Sequence, residues 1–399
     1  MIPRLRPRLG LPELLAALRP GDDAQAVTEF EQAFADMTGQ RHAVAFPYGR
    51  TGLYCLLKAL GLRNSMVVTP AWTCVVVPHA TVSSGNEPVF VDSAPGDYNM
   101  DLRRAGETLD ETDAGALIAT SIFGHPVDLD ALEALRRTHP GVCIIQDCAH
   151  SFLCEHGGRP VHAYGDAAVF GLNVSKLMSS IFGGMVATDD DTLAARLRNE
   201  RSKTLSPAPW RKAWSRRIYL AASMLALWPP AYSAVNLLER SGALGRFVSY
   251  YDEGRIDMPA DWDVAMTAPE ARVGVVQCGR YTSIIANRRR NAAAYTEALR
   301  HIPGITLPPH DDGATWSHYT ILVDRREALL DRALRAGIQL GRLIEYNIPD
   351  MPAYRARPGY RDCPRARRLA EHSVNLPVWC GPRDVQRVID FLKNTMGHY

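Results

Sequence analysis

The 399-residue chain has no run that is both long and apolar enough to span a bilayer, and neither charge sign dominates it. Its best apolar stretch, in "RRIYLAASMLALWPP", is about ten residues where a spanning helix needs roughly 20. Lysine and arginine number 45 against 43 acidic residues. No global field gathers nucleic acid by counterion release, and no nucleic-acid partner is expected. Close cysteine pairs are also missing. The eight cysteines are scattered without a CxxC, and Cys55, Cys143 and Cys278 sit in apolar runs where a thiol acts as a small hydrophobe. Cys148, His150, Cys154 and His156 are metal-ligand types, but no distant second half completes them, so no metal is expected. There is no internal repeat or low-complexity tract. The N-terminal "MIPRLRPRLGLPELLAALRP" lacks the cleavage pattern of a secretory signal and reads as an entry arm. What remains is a reduced, cytoplasmic globular protein, large enough for an α/β core and a smaller second domain.

What is there begins with periodicity. Val27, Phe30, Phe34 and Met37 recur at three and four, a helix face ending at Gly39. "HAVAF" is a strand, "YGRTGLYCLLKALGL" a glycine-led helix, "SMVVTP" a strand, and the alternation continues through "EPVFVD", "GALIATSIFG", "DLDALEALRRTHP", "VCIIQD", "AAVFGL" and "GGMVATDD". Several of these strands are wholly apolar, the pattern of a mostly parallel sheet covered on both faces. Ligands of such sheets bind at the carboxyl ends of the strands, where Gly49, Asp147 and Lys176 all fall.

The expected organisation is an arm over 1–20, a large domain over 21–202, an aromatic insert over 203–260, a helical connector over 261–300 and a small α+β domain over 301–399. The insert carries Trp210, Trp214, Trp228, Tyr232, Tyr250 and Tyr251 with basic residues before its apolar run. Two readings stand for it: a hydrophobic subdomain packed on the fold or on a partner subunit, and a helix lying on a membrane surface.

A lysine in "GLNVSKLMSS" has two readings as well, a snorkelling or paired side chain or a catalytic amine. Asp147 after "VCII" is equally ambiguous alone. Together with a glycine-led helix they meet three demands of one cofactor. A lysine forms a Schiff base with an aldehyde, an aspartate keeps a pyridine nitrogen protonated, and a helix start receives a phosphate.

Several stretches, in this order, make the chain resemble a known family: "FEQAFADMTGQRHAVAFPYGRTGLYCLLKALGL", "VVTPAWTCVVVPHATVSSGNEPVFVD", "DYNMD", "GHPVDLDAL", "IIQDCAH", "YGDAAVFGLNVSKLMSSIFGGMVATDD", "LIEYNIP" and "VNLPVW". It is similar to the DegT/DnrJ/EryC1/StrS sugar aminotransferases, fold-type I pyridoxal-phosphate enzymes. The resemblance implies pyridoxal 5'-phosphate as cofactor, Lys176 as the lysine that holds it and moves protons, and Asp147 as the partner of its ring nitrogen. It implies Trp72 as the aromatic stacked on the ring, His150 near the ring hydroxyl, and Gly49, Arg50 and Thr51 at the phosphate. Arg50 departs from the family's usual Ser-Gly-Thr, and Gly171 stands where a serine is usual. Asn236 lies too deep in the insert to match the partner-subunit asparagine.

Lys176 also argues against the family's dehydrating branch, which replaces the lysine by histidine. The resemblance implies transfer of an amino group from an amino acid, L-glutamate in the first instance, to a keto sugar, sugar nucleotide or keto cyclitol. His318, Tyr319, Arg342 and Tyr346 are the acceptor candidates. A homodimer or larger assembly, with the active site at the interface, follows from the same resemblance. Two alternatives remain at this point: an atypical pyridoxal-phosphate enzyme acting on an amino acid or a hydrophobic or lipid-linked acceptor, and a non-catalytic scaffold or membrane-recruited adaptor.

Overall fold

Short strands of small and β-branched residues pair readily and leave both faces apolar, so they need helices above and below. The protein's computed structural model describes residues 1–228, 232 and 254–396. Its strands are β1 (His42–Phe46), β2 (Met66–Pro70), β3 (Glu87–Val91), β4 (Ala116–Thr120), β5 (Cys143–Asp147), a small hairpin of β6 (Glu155–His156) and β7 (Arg159–Pro160), β8 (Ala167–Gly171) and β9 (Gly184–Thr188). The main sheet has seven strands in the order β1-β9-β8-β5-β4-β2-β3. From β8 to β3 the pairing is parallel; β9 runs antiparallel to both β8 and β1.

Around the sheet lie α1 (Leu11–Leu18), α2 (Asp23–Thr38), α3 (Gly49–Ala59), α4 (Val76–Ser83), α5 (Leu102–Thr112), α6 (Leu129–Thr138), α7 (Asp191–Thr204) and α8 (Trp210–Ala226). Alternation along the strands divides the core. Val44, Phe46, Val169 and Val186 pack with Leu53 and Leu56 of α3 and Leu197 of α7. Their neighbours Ala43, Ala45, Phe170 and Met185 point the other way, onto Phe30 and Phe34 of α2. The α2 boundaries follow from capping: the Asp22 carboxylate accepts from the Gln25 amide, and Gly39 takes the left-handed conformation that ends the helix.

A single connector helix, Ala268–Leu299, joins the two domains. Its first half packs on α2, and its last turns place Tyr295 and Leu299 in the core of the small domain. There β10 (Tyr319–Leu322) and β11 (Ser373–Leu376) pair antiparallel beneath helices Arg326–Arg335 and Pro382–Met396.

The first twenty residues, expected as an arm, are docked at both ends. Ile2 is buried and bridges to the small domain, its amide donating to the Gly337 carbonyl at 2.9 Å. The α1 helix is held by Glu13, whose carboxylate accepts from the Gly10 amide at 2.8 Å, Gln277 Nε2 at 2.7 Å and Arg280 at 2.5 Å. The expected insert has α7 finishing inside its first residues, then α8, which packs against α1 and the connector. Pro229, Pro230, Asn236, Tyr250 and Tyr251 lie outside the described residues. Among the described residues no helix is long and apolar enough to cross a membrane.

The connector crosses α2 at Gly274, where an added Cβ would stand 2.3 Å from the Phe30 ring. Gly274→Leu is therefore expected to lower stability by about 1–3 kcal/mol through overpacking. Thermal denaturation checks this: the midpoint should fall by several degrees.

Candidate active site

The fold delivers polar groups to one place because β4, β5 and β8 are parallel neighbours that end together. Asp147 closes β5, Thr120 closes β4 and Gly171 closes β8. Asp147 is buried; its carboxylate accepts from the Ala149 amide at 3.0 Å and from the Thr120 hydroxyl at 3.4 Å. Burial raises its pKa, against the Ala149 hydrogen bond and the positive charge of Lys176. Burial lowers the pKa of Lys176, while Cys74 and Asp147 oppose that shift. The two groups are thus electrostatic partners, Asp147 buried and Lys176 half-buried, each holding the other nearer its charged form.

The start of α3 faces the same strand ends. Tyr48 precedes it without a side-chain cap, so the first amides, of Gly49, Arg50 and Thr51, have no intrahelical acceptor. A side chain at the first of these positions would be crowded. A Cβ on Gly49 would lie 3.2 Å from Gly171 Cα, and one on Gly184 would lie 2.4 Å from the Gly49 backbone. This close approach sets a positive helix terminus against the end of β8. Arg50 adds a guanidinium whose pKa burial lowers and whose electrostatic neighbours are Cys74, Asp257, Tyr48 and Tyr346. His79, beside Arg50 and Asp257, is pushed down to about 4, first by burial and then by Arg50, and is neutral at pH 7.

A buried polar network fixes this terminus from behind. The Tyr48 hydroxyl donates to Asp261 at 2.5 Å. Arg216 of α8 donates to Asp261 at 2.7 Å, to Glu270 at 3.0 Å and to the Tyr48 oxygen at 3.1 Å. Its guanidinium also lies 4.3 Å from the centroid of the Phe182 ring. Phe182 and Ile181 belong to the loop that carries Lys176. Ile181 is β-branched at φ 71°, and packing holds it there among Ala17, Leu220 and Val273. Arg216 therefore braces the helix start and the lysine loop together.

The remaining feature is a cavity of about 350 Å³ that opens beside Lys176. Arg6 and Arg8 from the N-terminal residues, Arg280, Asn287 and Arg288 from the connector, and Trp379 line it. Arg280 is paired with Glu13, and Arg288 donates to the carbonyls of Trp316 and Ser317. Arg6 lies over the Trp379 ring at 5.8 Å. Neither Arg6 nor Arg8 has a carboxylate partner among the described residues.

Comparison with known proteins settles the family, since the model of the DegT/DnrJ/EryC1/StrS aminotransferase family matches residues 21–393. The chain belongs to this family. It is 26% identical over 381 residues to the spore coat polysaccharide biosynthesis protein SpsC of Bacillus subtilis, covering 92% of this chain and 89% of that one. It is 25% identical over 380 residues to the GDP-perosamine synthase of Caulobacter vibrioides, covering 93% and 90%. The crystal structure of the sugar aminotransferase CalS13 from Micromonospora echinospora superposes with a TM-score of 0.78 at 23% identity, over 99% of this chain and 100% of that one, and shows the same fold. The chain is therefore a pyridoxal-phosphate-dependent aminotransferase of fold type I.

The donor set fits that cofactor: an amine, a buried carboxylate, free helix-terminal amides and an arginine are gathered where β5 and β8 end and α3 begins. His150 is buried beside Lys176, stacked on Phe123 at 5.7 Å, with no hydrogen-bond partner for Nδ1. His318 faces it at 5.7 Å and also neighbours Lys176. Tyr346 approaches from the small domain; its hydroxyl accepts from the Val75 amide at 3.0 Å.

Three expected roles change, those of Trp72, Tyr319 and Arg342, while Thr51 keeps its backbone amide for the phosphate. Trp72 has no exposed surface on which a cofactor ring can stack. Its indole N–H donates to the Ile344 carbonyl at 3.1 Å, and Tyr98 and Phe123 pack on it edge-on. Cys74, two residues on and half-buried, is the electrostatic neighbour of both Lys176 and Arg50. Thr51 is buried with its hydroxyl donating to the Trp262 carbonyl at 2.9 Å, which leaves its amide as the group offered to a phosphate. Tyr319 is buried in the small-domain core, its hydroxyl on Thr296 at 2.9 Å. Arg342 is a surface residue paired with Glu327 and Glu345. Strand position and a helix's first glycine are local signals and led to Asp147 and Gly49. Cys74, Arg216, Arg6 and Arg8 are brought in by contacts across most of the chain, and no local pattern marks them.

Two outcomes follow. Arg50→Ala should weaken cofactor binding by roughly 1–3 kcal/mol, read from titration of the apoprotein with pyridoxal phosphate. Capture of the cofactor needs a neutral Lys176, whose pKa burial lowers from 10.5. The rate of cofactor capture should therefore rise with pH and level off below pH 10.5, which stopped-flow absorbance measures.

Proposed function

We propose that the enzyme moves an amino group from an amino acid, L-glutamate, to the keto group of a sugar carried on a nucleoside diphosphate. The observation that carries this reading is the arginine-lined cavity beside Lys176, in which Arg6 and Arg8 have no carboxylate partner among the described residues. An acceptor bearing anionic phosphates suits that lining; an uncharged keto cyclitol leaves it unsatisfied. The name of the similar GDP-perosamine synthase supports the same class. His318 and Tyr346 are the acceptor-side residues we retain, because both stand beside cofactor-site groups.

When bound, pyridoxal phosphate supplies an electron-accepting ring that stabilises negative charge on the carbon next to the amine. The chain's residues do the rest. The Asp147 carboxylate holds the ring nitrogen protonated. The Lys176 amine, partly desolvated and lowered in pKa, would take a proton from the donor's α-carbon and return it to the cofactor's former aldehyde carbon on the far side of the nitrogen. The amides of Gly49, Arg50 and Thr51 with the Arg50 guanidinium hold the phosphate, and His150, neutral because burial lowers its pKa, offers a hydrogen bond to the ring hydroxyl. We also infer a homodimer, as the family resemblance implies.

The test uses L-glutamate labelled with ¹⁵N and a panel of 4-keto and 3-keto sugar nucleotides beside a keto cyclitol, with products read by mass spectrometry. Label in an amino sugar nucleotide is the expected result; label only in the cyclitol overturns the substrate class. Lys176→Ala should abolish transfer. Asp147→Asn should retain cofactor but lose on the order of a hundredfold or more in turnover, and a loss of under about threefold contradicts its role.

A further inference from the structure

The α8 helix is amphipathic in the reverse sense of a surface helix. It buries two of its four charges, Lys212 and Arg216, and exposes most of its large apolar side chains. Trp210 is 69% exposed, Trp214 55%, Ile218 66% and Leu225 68%. At 100° per residue these four fall within an arc of about 80°, one continuous stripe. Trp228, just past the helix, is exposed as well. The neighbouring α1 repeats the pattern: Ala16, Ala17 and Glu13 face inward while Leu11, Leu15 and Leu18 are exposed. The helices are tied together by the Arg217 side chain, which donates to the Ala17 carbonyl at 2.8 Å, and by packing of Ala17 on Leu220.

The charge on this face has one sign. Arg211 stacks over Trp210 at 5.7 Å and Arg217 over Trp214 at 5.3 Å. No aspartate or glutamate occurs between Glu200 and the end of α8. We propose that the outer face of α8, with the leucines of α1, docks the enzyme on an anionic lipid surface. Tryptophan rings with guanidinium groups on them suit the level of the headgroups, and the helix is too short and too charged to enter further. A second copy of the chain fits less well. A two-fold contact sets a patch on its own image, so Arg211 and Arg217 of both copies would be gathered at it with no carboxylate in α8 to offset them. The inner face of the same helix holds Arg216 on Tyr48 and Phe182, so the docking element is also a wall of the active site.

The experiment is flotation of the full-length holoenzyme with vesicles of phosphatidylcholine alone and of phosphatidylcholine with about a third phosphatidylglycerol, at low and high salt. Trp210→Ser, Trp214→Ser and Ile218→Ser are combined in one variant. All three side chains are exposed, and circular dichroism and the melting midpoint verify its fold. Salt-sensitive flotation with the anionic vesicles, reduced roughly tenfold or more in the variant, is the expected result. No flotation, or equal flotation of the variant, overturns the proposal. A variant that sediments as a monomer where the parent is a dimer, in the absence of lipid, also overturns it and assigns the face to a subunit contact. None of these readouts uses turnover, so they stand apart from the substrate reading.

Discussion

The rest of the structure depends on keeping one amine and one carboxylate, the half-buried Lys176 and the buried Asp147, together. Each alone in such a pocket is driven toward neutrality; together, each partly restores the other's charge. Asp147 is placed by the register of β5 against β4 and β8, which also supplies the Thr120 hydroxyl. Lys176 sits on a loop, which has no register to place it. The loop is fixed instead by side-chain packing, including a β-branched residue kept in a left-handed conformation.

That packing explains why α8 matters to the chemistry. Arg216 lies between Tyr48 at the start of α3 and the aromatic residue Phe182 of the lysine loop, and Asp261 and Glu270 neutralise it there. The price of burying these charges is met by a nearly complete set of hydrogen bonds, the condition under which a buried ionic network is tolerated. With Lys212 and Arg216 used inward, α8 turns Trp210, Trp214 and Ile218 outward beside Arg211 and Arg217, so the exposed tryptophans are the other side of the same arrangement.

The sheet was legible in the sequence because its signal is local. Five-residue apolar strands, capped helices and the turn at Gly39 can each be read without knowing what packs on them. The same holds for Asp147 at a strand end and Gly49 at a helix start. The acceptor side was less legible: Tyr319 opens a strand whose inward and outward faces its sequence does not separate, and Arg342 lies in a loop-rich stretch that gives no sign of which way its side chains turn. The basic cavity joins residues near positions 8, 280 and 379, and its arginines sit in unremarkable helical and N-terminal sequence. Trp72 shows the limit of a motif: two residues further along the same segment the buried tryptophan gives way to the half-buried Cys74.

The central claim is that Lys176 is the amine that holds the cofactor. Borohydride reduction of the protein loaded with pyridoxal phosphate, followed by peptide mass mapping, tests it most directly. The account predicts a pyridoxyl group on the peptide carrying Lys176 and on no other. The label on Lys58, Lys203, Lys212 or Lys393 instead, or no label at all, would contradict it.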